Sequence, residues 1–179
     1  MITRNHVAGG TRSEVCYSDC HTYRYLLTRQ WEASKGDVAF VMLNPSKADE
    51  FLNDPTVERC ERRARHMGFG GVQIVNIFAF RATDPQVLRR AMHPCGPEND
   101  AILSRTAAQA RLVIAAWGTH GVHLGRGAIV RDMLWQAGHD LHHLGLTKDG
   151  HPRHPLYVPY RQKPELWRLD LPGTSGNNH

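Results

Sequence analysis

At 179 residues the chain is long enough for one compact domain, on the basis of ~150 residues per domain. Its 41% hydrophobic and 22% charged residues exclude the disordered class. No apolar run reaches the ~20 residues that cross a bilayer. Met1-Ile2-Thr3-Arg4-Asn5-His6 lacks the apolar stretch of a signal peptide, so a cytoplasmic location without a membrane partner is expected. Lys and Arg number 22 against 17 Asp and Glu, a formal +5 that the 12 histidines raise below neutrality. That surplus favours an anionic partner and says nothing of the fold. Four cysteines are few for a disulfide scaffold and are expected as free thiols.

In chain order, residues 1–22 have no clear period and read as an irregular or edge segment. Tyr23 to Arg29 alternates loosely and is rich in aromatics, which predicts a half-buried strand at a sheet edge. Val38 to Leu43 is continuously apolar and predicts a central parallel strand. Asp54-Pro55-Thr56 supplies an N-cap and a first-turn proline, and Val57, Cys60, Ala64 and Met67 then recur at helical spacing up to Gly68. Val72 to Phe80 predicts a second buried strand, and Thr83-Asp84-Pro85 opens a short helix that ends near Met92. Glu98 to Ala110 reads as a helix and Leu112 to Trp117 as a third buried strand. Gly118 to Gly127 is a loop before a helix over Ala128 to Ala137, and His139 to Leu146 predicts a last strand. Alternating strands and helices predict a single α/β domain over 1–171, a three-layer α/β/α sandwich with a mainly parallel central sheet. Residues 172–179 are expected to form a disordered tail.

In open parallel sheets ligands bind beyond the carboxyl ends of the strands, so the residues that follow each apolar run are the candidates. After the first central strand come Asn44, Pro45, Ser46, Lys47 and Asp49, an amide, a hydroxyl, a cation and a carboxylate leaving the core together. The second run contains Asn76, which needs hydrogen bonds if buried, and is followed by Arg81. The third ends in Trp117, Gly118 and His120, where glycine lets backbone amides approach a ligand and the next helix N-terminus suits an anion. The last is followed by Lys148, Arg153 and His154, in a loop dense with donors for phosphates or base edges. Cys16 and Cys20 do not form a C-x-x-C pair, Cys60 falls on the inner face of a predicted helix, and no H-E-x-x-H occurs, so neither a metal nor another cofactor is expected.

Several ordered motifs carry a family likeness: Leu43-Asn44-Pro45-Ser46-Lys47-Ala48-Asp49, Asp54-Pro55-Thr56, Gly68-Phe69-Gly70-Gly71, Asn76-Ile77-Phe78-Ala79, Arg81-Ala82-Thr83, Gly96-Pro97-Glu98-Asn99-Asp100, Ala116-Trp117-Gly118 and His154-Pro155-Leu156-Tyr157. From residue 22 to about 160 the chain resembles the bacterial and phage family called domain of unknown function 1643, a name that implies no activity. Asn44-Pro45-Ser46, Trp117-Gly118-Thr119-His120 and His154-Pro155-Leu156 also resemble, in order, three strand-end motifs of the uracil-DNA glycosylase superfamily. That resemblance implies that Asn44 positions a hydrolytic water and that His154 stabilises the departing base anion, with Asp49 and His120 near the chemistry.

Three readings follow. The first is a glycosylase-like enzyme acting on nucleic acid or a nucleotide through Asn44, Asp49, His120 and His154, with Pro45, Ser46, Lys47, Asn76, Arg81, Trp117, Gly118, Lys148 and Arg153 binding the substrate. The second is a nucleic-acid-binding module whose Arg81, Lys148 and Arg153 contact phosphates. The third is an enzyme on a small anionic metabolite or nucleotide, held by Lys47 and the Gly118 to Gly127 loop.

Overall fold

The computed structural model describes residues 1–168, and the expected tail over 172–179 lies outside the described residues. The strands are β1 (Ile2–Ala8), β2 (Thr11–Tyr17), β3 (Arg24–Gln30), β4 (Asp37–Met42), β5 (Gly71–Asn76), β6 (Leu112–Ala115), β7 (Leu141–His143) and β8 (Glu165–Leu166). The α-helices are α1 (Pro55–His66), α2 (Pro85–Arg90), α3 (Asn99–Gln109) and α4 (Arg126–Gln136). All eight strands form one sheet in the order β1-β2-β3-β5-β4-β6-β7-β8.

The α/β class holds, but the mainly parallel sheet does not. Parallel pairing is confined to β5-β4, β4-β6 and β6-β7. The other four pairings are antiparallel: β1-β2, β2-β3, β3-β5 and β7-β8. The cause lies in the N-terminal segment expected to be irregular. Ala8-Gly9-Gly10-Thr11 reverses the chain with φ of 54° and 76° at the two glycines, the positive pair that a tight hairpin turn requires. The resulting β1-β2-β3 meander moves β3 from the expected edge to an interior position against β5.

β4 shows how the layers arise from period two. Val38, Phe40 and Met42 pack with Val57, Cys60 and Ala64 of α1 on one face. Ala39 and Val41 pack on the other with Ile102, Leu103 and Ala107 of α3 and Val130 and Leu134 of α4. Helix α1 begins as its sequence predicts, with Asp54 Oδ1 accepting from the Val57 N–H at 2.9 Å and Pro55 at the first helical position.

Three expected strands end early by two residues or more, among them β6, which stops at Ala115 and not at Trp117. β5 ends at Asn76; Ile77 and Phe78 still donate to the carbonyls of Met42 and Leu43, and Ala79 and Phe80 then turn to the carbonyls of Cys95 and Pro94 in the loop before α3. β7 stops at His143, whose Nδ1 accepts from the Gly145 N–H at 3.0 Å and bends the chain away. The loop expected over Gly118 to Gly127 contains a 3-10 segment, Thr119–Gly125, and α4 starts two residues earlier than expected. No helix among the described residues is long and apolar enough to cross a membrane.

Candidate active site at the strand ends

Because β5, β4 and β6 run parallel, their last residues lie along one edge of the sheet. Antiparallel β3 runs the other way, so its first residue, Arg24, reaches that same edge, where its N–H donates to the Ala79 carbonyl. Three adjoining compartments open there, and Thr83 borders all of them. The innermost, of about 230 Å³, is lined by Arg24, Asn44, Ser46, Asp54, Asn76 and His154 among others. A wider one of about 800 Å³ carries Trp117, Gly118, His120, Lys148, Arg153 and, from its other side, His154. The third, of about 600 Å³, carries Ser46, Lys47 and Arg81.

Asn44 Nδ2 donates to the carbonyls of Ala82 at 2.8 Å and Pro45 at 3.1 Å, which fixes the amide and leaves Oδ1 without a donor among the described residues. His154 Nδ1 accepts from the Leu156 N–H at 3.3 Å. Burial holds this imidazole below its ordinary pKa, against a weaker upward pull from Asp54. At neutral pH its proton therefore resides on Nε2, the nitrogen left to donate. Asp54 is committed locally: one oxygen caps α1 and the other accepts from the Ala48 N–H at 3.3 Å. Asn76 is buried, and its Nδ2 has no partner among the described residues.

On the rim, Lys47, Lys148 and Arg153 are exposed. Arg81 donates to the His21 carbonyl and lies over the Tyr17 ring, 5.2 Å from its centroid. The His120 Nδ1 lies 3.3 Å from an Arg89 nitrogen at the surface. Gly118 has φ of 73°, and its N–H donates to the Pro152 carbonyl, tying the ends of β6 and the last loop together. Gly121 and Gly127 serve packing: a Cβ at Gly121 would lie 2.2 Å from Trp117 Cδ1, and one at Gly127 2.6 Å from Trp117 Nε1.

Most of the residues selected from the sequence thus meet at this edge, but two do not. Asp49 lies outside these compartments, and its Oδ1 closes its own turn by accepting from the Phe51 and Leu52 N–H groups, both at 2.8 Å. Pro45 is buried behind Asn44, its carbonyl accepting from the Ala82 N–H. Arg24, Asp54, Thr83 and Tyr157 line the cleft and were not selected. The legible signal for Arg24 was a charge set between two tyrosines at the start of the strand.

No group of three His, Cys, Asp or Glu residues able to hold a metal occurs among the described residues. The cysteines differ sharply in environment. Hydrogen bonds with the Ser18 and Thr22 hydroxyls bring the exposed Cys20 thiol down to about 7. Burial pushes the Cys60 and Cys95 thiols up. Iodoacetamide at pH 7.5 is therefore expected to alkylate Cys20 first, Cys95 more slowly and Cys60 only on unfolding, as read by peptide mass spectrometry. Early labelling of Cys60 would contradict this order.

The fold and the cleft define a mixed α/β protein with a ligand-sized, cation-rimmed cleft at the carboxyl ends of its parallel strands. A family model described as "Protein of unknown function (DUF1643)" matches residues 24–156, and the chain belongs to that family. Neither the curated proteins nor the solved structures gave a match.

Proposed function

We propose that the protein is a base-recognising enzyme that hydrolyses an N-glycosidic bond in nucleic acid or a nucleotide. In this reading it works in the cytoplasm on a three-layer framework of uracil-DNA glycosylase type. The observation that carries the reading is the juxtaposition, around one 230 Å³ cavity, of a neutral histidine and a fixed amide. His154 has Nε2–H left to donate, and Asn44 has Oδ1 left to accept.

Cleaving this bond needs a held water and stabilisation of the charge that develops on the base, rather than a strong base or a metal. Asn44 Oδ1 accepts a hydrogen bond from the attacking water and so orients it. The water oxygen bonds to the sugar carbon as the carbon–nitrogen bond breaks, and the bonding electron pair leaves on the base. His154 Nε2–H stabilises that anion by hydrogen bonding; one hydrogen of the water stays on the new sugar hydroxyl, and its other proton passes to solvent or to the departing base. Lys47, Arg81, Lys148 and Arg153 border the cleft as phosphate contacts that position the strand without reading it.

The test is to incubate the protein with single-stranded and duplex DNA carrying uracil or damaged bases, and with free nucleosides and nucleotides. Free base and alkali-labile sites are then analysed. Released base in excess over enzyme is expected, and no release from any substrate overturns the reading. The cationic rim favours a second reading, a non-catalytic nucleic-acid-binding module. Salt-sensitive binding without release would select it. Binding of a small nucleotide alone would select an enzyme of anionic metabolites.

A further inference from the structure

A buried guanidinium normally meets a carboxylate, and Arg24 does not. It is 2% exposed, donates once, from Nη1 to the Ala48 carbonyl at 2.6 Å, and its Nε has no partner. No described carboxylate forms an ion pair with it within 4.0 Å. Asp54 lines the same cavity and its charge favours the guanidinium from a distance, but both of its oxygens accept backbone N–H groups and neither touches Arg24. Burial pulls Arg24 down to about 10, which leaves it charged at neutral pH. Asn76 is also 2% exposed and lines the same cavity, with an enclosed Nδ2 that has no partner among the described residues. A desolvated cation with no carboxylate in contact is among the least favourable groups a fold can hold. Its Nε is closed off, and Nη2, which donates to no described group, is the nitrogen left to face the space that Arg24 lines.

We infer that the 230 Å³ cavity is a receptor for a compact anion with charge on oxygen, with Arg24 as its counter-charge. Two sources share this chemistry, a deprotonated oxo-heterocycle and a nucleotide phosphate. The inference rests on the reading of this cleft as the ligand site, and not on bond cleavage there. The same anion explains why the fold keeps a guanidinium where an apolar side chain of similar length would be more stable.

The test uses the full chain, inorganic phosphate and barbiturate, a planar trioxopyrimidine anion at neutral pH, each compared with chloride at equal ionic strength. Thermal unfolding and calorimetry are expected to show saturable, one-to-one protection of the wild type by one of the two anions. Arg24→Met is expected to lose at least tenfold in affinity while its own Tm equals or exceeds that of the wild type. An arginine with a merely structural role would lower Tm when replaced. Protection by phosphate assigns the nucleotide source, and protection by barbiturate the heterocycle. Absence of protection by either anion overturns the inference, as does unchanged affinity in Arg24→Met. Should that variant fail to fold, Arg24→Lys decides: weakened binding in a folded chain supports the receptor, and unchanged binding overturns it. Base release without anion protection would leave the proposed reaction standing and remove this inference, and protection without release would do the reverse.

Discussion

Arg63→Ala is expected to lower the unfolding free energy by about 3 kcal/mol or more and to loosen the segment after His154. Arg63 is fully buried on α1 and donates to the carbonyls of Gln162 at 2.9 Å, Val158 at 2.9 Å and Pro159 at 3.1 Å. Arg59 of the same helix donates to Val158 at 2.7 Å and stacks on the Tyr160 ring, 3.9 Å from its centroid. Helix α1 therefore clamps residues 158–162 with cations, and these follow the 3-10 turn Pro155–Tyr157 that His154 caps. Hydrogen bonds from charged donors to buried acceptors are worth about 1.5–3 kcal/mol each. Removing the guanidinium leaves the Gln162 carbonyl without a donor among the described residues, while Pro159 keeps the Gln162 N–H and Val158 keeps Arg59. Urea unfolding measures the loss, and amide exchange over 155–162 locates it. A change below about 1 kcal/mol would show that the clamp contributes little.

His154→Asn separates the two jobs of the histidine. An asparagine oxygen at this position can accept from the Leu156 N–H in place of Nδ1, so Tm is expected to change little, while the Nε2–H donor is lost. Base release should fall about 10²- to 10³-fold, the usual effect of deleting one donor to a developing anion. The pH dependence has a definite sign. Burial lowers the pKa of His154 and of His143 below the unfolded value near 6.5. At acid pH the unfolded chain therefore binds more protons than the folded one, so stability rises with pH there. This destabilisation is absent above about pH 6.5 and grows as pH falls through the window between that value and the lowered folded values. Both rings accept a backbone N–H two residues ahead, a bond that protonation of Nδ1 removes. Activity is expected to fall on the acid side for the same reason, and His154→Asn to flatten that limb. An activity that rises on acidification would show the imidazolium to be the working form.

The legible parts of the chain were those where one local rule decides. Val38 to Leu43 is apolar throughout because both faces of β4 are covered, and Asp54-Pro55 marks the start of α1 wherever the helix packs. The same reading placed Asn44, Ser46, Trp117, Gly118 and His154 at one edge, since residues after parallel strands must converge. It failed where pairing is non-local. Nothing within Tyr23 to Arg29 specifies that β3 runs between β2 and β5, so Arg24 could not be placed in the cleft. The Gly9-Gly10 turn was the available clue, outweighed by a segment whose outward residues break the alternation. Asp49 shows the opposite limit, because a carboxylate that caps a turn and one that faces a cavity look alike in sequence.

The antiparallel entry of β3 also bears on the order in which the sheet can close. The β1-β2-β3 meander is built from neighbours joined by short reversals, whereas the pairing of Val38 with Leu112 encloses most of the central chain. Closing long loops costs more entropy and proceeds more slowly than closing short ones. The element that carries Arg24 is thus assembled from the cheapest contacts, and the wall that carries His154 from the dearest. The cavity between them exists only once both parts have met, so a bound anion would favour the last closure and not the first.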